Sequence, residues 1–262
     1  MKRRKFLLTA ATASAGLTLP LRSHAQISSM TEAVNRAGRQ RMLSQRVAKA
    51  WLGIATAARA DLAKLVMQQS IEAFEQQLVE LKAFAPVGET RDTYQTLDSQ
   101  WSEYKTVLIG AAPSRDRAKG VLDYAGKVLA LANSGTVLFE KQSGTPSAKL
   151  VNVAGRQRML SQRMGMFYLA YFWGVESASS RTEIAKARTE FIAAQDLLRN
   201  APQTTTQIRQ ELDIADGQWV FFNNALQAQI IDSRAAADVF VCSENLLKVM
   251  DQITGLYTRT LT

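Results

Sequence analysis

The chain is poor in the residues that most often carry chemistry: one cysteine, one histidine and five prolines in 262 residues. A single cysteine, Cys242, excludes an internal disulfide, and its neighbours Phe240, Val241 and Leu246 make it read as a small buried residue. The one histidine, His24, lies in a segment that reads as a removable leader, so the remaining chain lacks the usual general base and any credible zinc or iron site. Haem and copper are excluded in the same way, because Met42, Met67, Met159 and Met164 have no histidine partner and no nearby cysteine. No later apolar run reaches the roughly 18 residues that a membrane span needs; the longest, Met164 to Val175, is too short. Neither a serine nucleophile beside a base nor a glycine-rich phosphate loop occurs, so the chain does not read as an enzyme.

Residues 1–25 have the layout of an export signal. Lys2-Arg3-Arg4-Lys5 forms a basic start, Phe6 to Leu19 is moderately apolar, and Ser23-His24-Ala25 offers a cleavage site near Ala25. Arg3-Arg4-Lys5-Phe6-Leu7 fits the twin-arginine pattern, with a general secretory signal as the other reading. Either places the mature chain outside the cytoplasm, most simply in a periplasm. The leader carries five Lys/Arg and no acid, so the net charge of +9 falls to about +4 on cleavage. With no dense basic tract left, nucleic acid is not an expected partner.

What the chain does have is a repeat. Asn35-Arg36-Ala37-Gly38-Arg39-Gln40-Arg41-Met42-Leu43-Ser44-Gln45-Arg46 returns 117 positions later as Asn152 to Arg163, with Val153 in place of Arg36 the only difference. Phe74 with Phe191, Pro86 with Pro202, Gln100-Trp101 with Gln218-Trp219, and Phe139 with Tyr257 extend the correspondence over two units. Each unit is rich in Ala, Leu and Gln with apolar residues at helical spacing, and turn chemistry divides it. The breaks predict helices over 29–58, 62–84, 90–111 and 115–142, then 147–176, 182–200, 204–230 and 234–260, with Ser114 and Ser233 as N-caps. The expected fold is all-α: two tandem antiparallel four-helix bundles, 26–143 and 147–262, with a short hinge between them.

On a helix the repeated block sorts into faces. Leu43, Val47 and Ile54 face one way, as do Leu160 and Met164, and should meet their own bundle's core. A second stripe holds Ala37, Arg41, Ala48, Leu52 and Ala55, matched by Ala154, Arg158, Gly165 and Leu169, with Gly38 and Gly155 at its edge. Small residues admit a neighbouring helix closely, so an arginine in that seam is partly buried and needs an acceptor. If the two equivalent helices pair, Arg41 and Arg158 face each other, and a small planar oxyanion between them would suit both guanidinium forks. Asn35, Arg39 and Arg46 lie on a neighbouring face, as do Asn152, Arg156 and Arg163. For Arg46 and Arg163, ion pairs to acids of adjacent helices are the other reading.

The twelve-residue block resembles the signature of the PilJ-type domain, the N-terminal sensor region of type IV pilus methyl-accepting chemotaxis transducers. It is also similar to the signature helix of the NarX/NarQ nitrate and nitrite sensors, through the frame Gly-x-x-Arg-Met-x-Ser-x-Arg. The resemblance implies two successive sensor domains. By position it assigns anion contact to Arg41 and Arg158, and close helix approach to Gly38 and Gly155. Gln40, Gln157, Gln45 and Gln162 follow the pilus-transducer version of the motif, whose ligand the motif does not name. Those families are membrane-anchored and continue into signalling modules, whereas this sequence ends at Thr262 with neither. A receptor or kinase in the membrane is therefore the expected relay.

Two functions follow as expectations. The first is a periplasmic protein that recognises a small oxyanion, nitrate or nitrite in the lead, without a metal or cofactor. The second is a periplasmic interaction module of a chemotaxis or type IV pilus system that takes no small molecule. Pairing of the motif helices within one chain, or between two copies as a homodimer, is left open by the sequence.

Overall fold

Few prolines and capped ends let long helices form. The computed structural model describes residues 27–260, and all its regular structure is helical: α1 (Met30–Ala55), α2 (Ala60–Phe84), α3 (Glu89–Ile109), α4 (Arg115–Ser143), α5 (Pro146–Phe172), α6 (Ser177–Asn200), α7 (Thr206–Leu226) and α8 (Ser233–Thr260). Residues 1–25, read above as an export signal, lie outside the described residues. Side-chain caps start four helices: Ser29 accepts from the amide of Glu32, Thr145 from Ala148, Thr205 from Ile208 and Asp232 from Ala235. Gly144, at φ 63°, ends α4 in the left-handed region that favours glycine, and Pro146 opens α5.

Most expected boundaries hold to within a few residues, and the differences have local causes. Ser233 is not the cap of α8; the Asp232 carboxylate one residue earlier accepts from the amide of Ala235 at 2.8 Å. Ser114 occupies the cap position of α4, but its side chain makes no capping bond. The turn expected near 177–181 falls earlier, where Gly174 at φ 76° and Glu176 at φ 49° reverse the chain, so Ser177 already begins α6. Between α1 and α2, Ala57 and Arg59 both take φ 56° and make the corresponding reversal.

Helices α1 to α4 pack on one another, and so do α5 to α8. The two groups are joined chiefly by α1 lying along α5, with lesser contacts from α1 to α8 and from α4 to α5. That pairing changes the character of the two helices: 18 of the 26 residues of α1 are buried, and 17 of the 27 of α5, against 7 of 25 in α2. Cross-contacts join residues separated by roughly the repeat length, as with Gln45 to Arg163 and Trp51 to Trp173. The two motif helices therefore run parallel and in register about a pseudo-twofold axis. Equivalent aromatic stacks sit in each group, Phe74 on Trp101 at 3.8 Å and Phe191 on Trp219 at 4.5 Å between centroids.

The glutamines of the repeat tie this arrangement together. Gln40 donates to the Phe74 carbonyl of α2 and Gln157 to the Phe191 carbonyl of α6, at 3.0 and 2.9 Å. Gln45 and Gln162 do the same towards α4 and α8, through Ala125 and Ser243, both at 2.9 Å. These four buried amides reach the neighbouring helices' backbone in matching fashion, so part of the repeat's polar identity serves packing.

Gly53 marks another close approach, where a Cβ would stand 2.8 Å from the Phe240 ring of α8 and 3.0 Å from the Ala63 side chain of α2. Gly53→Val is expected to cost about 1–3 kcal/mol in chemical denaturation through overpacking. Gly217 of α7 is exposed with nothing within 4 Å. Gly217→Ala is therefore expected to gain about 0.5–1 kcal/mol.

Candidate functional site

The small-residue stripe of α1 meets that of α5, and the two repeated arginines lie within the contact. Arg41 and Arg158 are each 1% exposed. Arg41 Nη2 donates across the seam to the Asn152 carbonyl at 3.2 Å, and Arg158 Nη2 reciprocally to the Asn35 carbonyl at 3.1 Å. Both Nη2 atoms pass the same glycine: a Cβ on Gly38 would stand 3.2 Å from that of Arg41 and 3.6 Å from that of Arg158. On Gly155 the corresponding distances are 3.7 and 3.0 Å. The glycines make room for guanidiniums as well as for helix approach.

The partners of the two arginines differ. Arg158 Nη1 meets the Asp251 carboxylate of α8 at 2.6 Å, and its Nη2 also reaches the Asn35 Oδ1 at 2.9 Å. Arg41 Nη1 meets the amide oxygen of Asn133 on α4 at 3.0 Å, and no carboxylate pairs with it among the described residues. In both arginines Nε is buried without a hydrogen-bond partner. Burial first, and then the charges of Arg156 and Arg158, pushes the Arg41 guanidinium down to about 9 against the pull of Glu140. Burial also lowers that of Arg158, with Asp251 opposing the shift.

The flanking motif residues form a ring around this pair. Arg39 donates to Asp251 at 2.5 Å; Arg156 donates to Glu190 of α6 and, at 3.3 Å, to Asn133. Asn35 offers both its oxygens to Arg158, whereas the Asn152 amide donates to Glu140 and leaves its own buried Oδ1 unpartnered. Arg46 and Arg163 sit further along the helices and are ion-paired. Arg163 pairs with Glu183 of its own group at 2.7 Å and donates to Gln45 across the seam at 3.0 Å. Arg46 instead crosses between groups, reaching Glu244 of α8 at 2.5 Å. The oxyanion-contact expectation thus narrows geometrically to Arg41, Arg158 and the residues that touch them.

Several residues here carried no flag in the sequence: Asn133, Glu140, Asp251, Glu244 and Tyr94. A signal existed in the alignment of α4 with α8, where Asn133 corresponds to Asp251 and Gly126 to Glu244. No group of three or more metal-ligating residues occurs among the described residues. No helix there is long and apolar enough to cross a membrane.

Comparison with known families gives this duplication a name. A model of the type IV pili methyl-accepting chemotaxis transducer N-terminal region, PilJ, matches residues 24–125 and again 141–240. The chain belongs to the PilJ family. It carries two PilJ copies in tandem, and the family is sensory rather than catalytic. No curated protein and no solved structure matches the chain. In this PilJ pair the first helix of each copy, α1 and α5, is the helix that joins the two.

The crossed ion pair fixes that junction. Lys49, wholly buried, donates to Glu244 and to the Ser243 hydroxyl, both at 2.7 Å, and lies 4.4 Å from the Phe240 ring centre. Burial pushes Lys49 down to about 8 against the pull of Glu244. For Glu244, burial works upward, but the Lys49 charge and the hydrogen bonds from Arg46 hold its carboxyl down to about 2 from an ordinary 4.5. Its contribution is therefore complete above pH 4.5 and is lost as pH falls from 4.5 towards 2. That window should contain an acid loss of about 3 kcal/mol. Urea unfolding measured across pH 2 to 6 should show a slope there that Glu244→Gln flattens.

Proposed function

We propose that this protein is an exported periplasmic sensor that binds a small oxyanion, nitrate or nitrite first, at the paired motif helices and passes the bound state to a receptor or kinase in the membrane. The observation that carries this reading is the meeting of Arg41 and Arg158 in one buried seam with Arg41 lacking a carboxylate. A buried guanidinium without an ion-pair partner costs several kcal/mol, and the unpartnered Nε donors add to that cost. A protein whose role were only to fold would do better with apolar residues there. An oxyanion offers planar acceptors to several N–H groups at once and supplies the missing negative charge. Nitrate and nitrite lead because of the resemblance of the repeated block to the nitrate and nitrite sensors. Export and the periplasmic location rest on the leader-like residues 1–25, and the signalling partner rests on membership of a transducer family.

Thermal unfolding against nitrate, nitrite, sulfate and chloride at matched ionic strength tests this. A ligand at a hundred times its Kd should stabilise the fold by about 2.7 kcal/mol. Arg41→Met should abolish that response while leaving the ligand-free protein as stable as before or more so, because it removes an uncompensated charge. Arg158→Met should instead lower ligand-free stability, since Asp251 loses a buried partner. A flat response to all four anions in the folded protein would sink the oxyanion reading and favour a protein partner.

A further inference from the structure

The two halves of the seam provide an internal comparison. In the second half, Arg158 and Arg39 share one carboxylate, Asp251, at 2.6 and 2.5 Å. In the first half the equivalent arginines, Arg41 and Arg156, share the Asn133 amide oxygen at 3.0 and 3.3 Å. Asn133 and Asp251 are equivalent positions of α4 and α8, as Ala125 and Ser243 are, whose carbonyls accept from Gln45 and Gln162. The molecule therefore shows, in its second half, what two such arginines bind: a single negative charge on planar oxygens. In its first half the equivalent position is the neutral Asn133, and the carboxylates nearby stand elsewhere, Glu190 on Arg156 and Glu140 on Asn152.

Further differences point the same way. Tyr94 of α3 is buried and its hydroxyl has no partner; it lies against Gly135, where a Cβ would stand 2.8 Å from the hydroxyl oxygen. The corresponding residues in the second half are Leu212 and Ile253, both apolar. The unpartnered Nε is common to Arg41 and Arg158, but the unpartnered Tyr94 hydroxyl has no counterpart at the equivalent position, and Arg41 is the charge that acts on it. A cleft of about 250 Å3 between α4, α5 and α6 is lined by Asn133 and Arg156, so these two partners of the first half can be approached from outside. Opposite, a cleft of about 490 Å3 is lined by Arg158 and Arg39 together with Asp251 and Glu211.

Resting on the oxyanion reading above, we propose that the site is one-sided: a single monovalent oxyanion binds on the first half, held by Arg41, Arg156 and Asn133, while Asp251 permanently occupies the equivalent position of the second. Asn133 suits this role because an amide presents its oxygen to the arginines without ligand and its NH2 to an anion once one is bound. Asp251 shows the valence by example: it meets its two arginines with one negative charge on planar oxygens. A singly charged planar oxyanion reproduces that, and a dianion such as sulfate overshoots it.

Isothermal titration of the protein with sodium nitrate and with sodium sulfate at fixed ionic strength decides the matter. The expected result is one nitrate per chain and sulfate at least about tenfold weaker, a factor equal to about 1.4 kcal/mol. Asn133→Asp should fold, unfold at a midpoint like that of the nitrate-saturated parent, and bind nitrate at least about tenfold more weakly. Asp251→Asn should bind a second nitrate per chain, and Tyr94→Phe should weaken the single site without changing its count. Should the parent bind one nitrate that Asn133→Asp leaves undiminished, while Arg41→Met and Arg158→Met both abolish it, the anion lies on the axis. One-sidedness would then be overturned and the oxyanion reading would survive. Two nitrates on the parent would overturn it equally. Absence of nitrate binding by the folded parent would bring down both readings.

Discussion

Two guanidiniums buried in one helix seam set the terms for everything around them. Each must find acceptors in a place where the backbone's own groups are already used within the helices. Arg41 and Arg158 do so by reaching across to the carbonyls of Asn152 and Asn35, which requires the helices to be parallel and in register. The reach is possible because Gly38 and Gly155 leave room where a Cβ would press on the guanidinium Nη2, 3.2 Å away at Gly38 and 3.0 Å at Gly155. Close approach in turn leaves α1 and α5 with little solvent-facing surface, so their remaining polar groups must be satisfied by α2, α4, α6 and α8. The glutamine ties to Phe74, Phe191, Ala125 and Ser243 answer that need.

Much of this was legible in the sequence. The repeat, the helix breaks at Gly144-Thr145-Pro146 and Ala201-Pro202, and the sorting of Arg41 and Arg158 onto the small-residue stripe all follow from local spacing. The acceptors are another matter. Asn133 and Asp251 lie more than 90 positions from Arg41 and Arg158 respectively, on helices whose faces read as ordinary solvated amphipathic surface. Nor could twelve repeated residues reveal which of their side chains hold a ligand and which hold carbonyls. Gln40 and Arg41 are adjacent and equally repeated, yet one serves packing and the other the seam. Direction is fixed only by the neighbouring helices.

Membership of a transducer family explains why such a costly seam would be kept. A sensor needs an element whose energy changes with ligand, and an incompletely compensated buried charge is such an element. On the oxyanion reading proposed above, ligand would relieve it and shift the balance at the contact between the two copies. The Lys49–Glu244–Arg46 cluster stands in that contact, three positions from Arg46 to Lys49 along the motif helix, and joins α1 to α8. The first copy's motif helix is thus tied to the second copy's last helix by charged links close to the seam.

Fusion of the two copies in one chain permits what a symmetric dimer forbids. Identical subunits must place the same residue on both sides of their axis, so a dimer would carry two uncompensated arginines or none. Two uncompensated guanidiniums would double the cost of folding before ligand arrives; none would leave nothing for ligand to relieve. With the copies free to diverge, Asp251 gives Arg158 an ion pair while Asn133 gives Arg41 only a neutral acceptor. The covalent link also keeps the pair assembled irrespective of concentration, so the cost of the uncompensated side is set against the whole fold rather than against a separable interface. The departures from symmetry at Asn133, Gly126 and Tyr94 all lie in the first copy. On that side the seam arginine, Arg41, makes no ion pair.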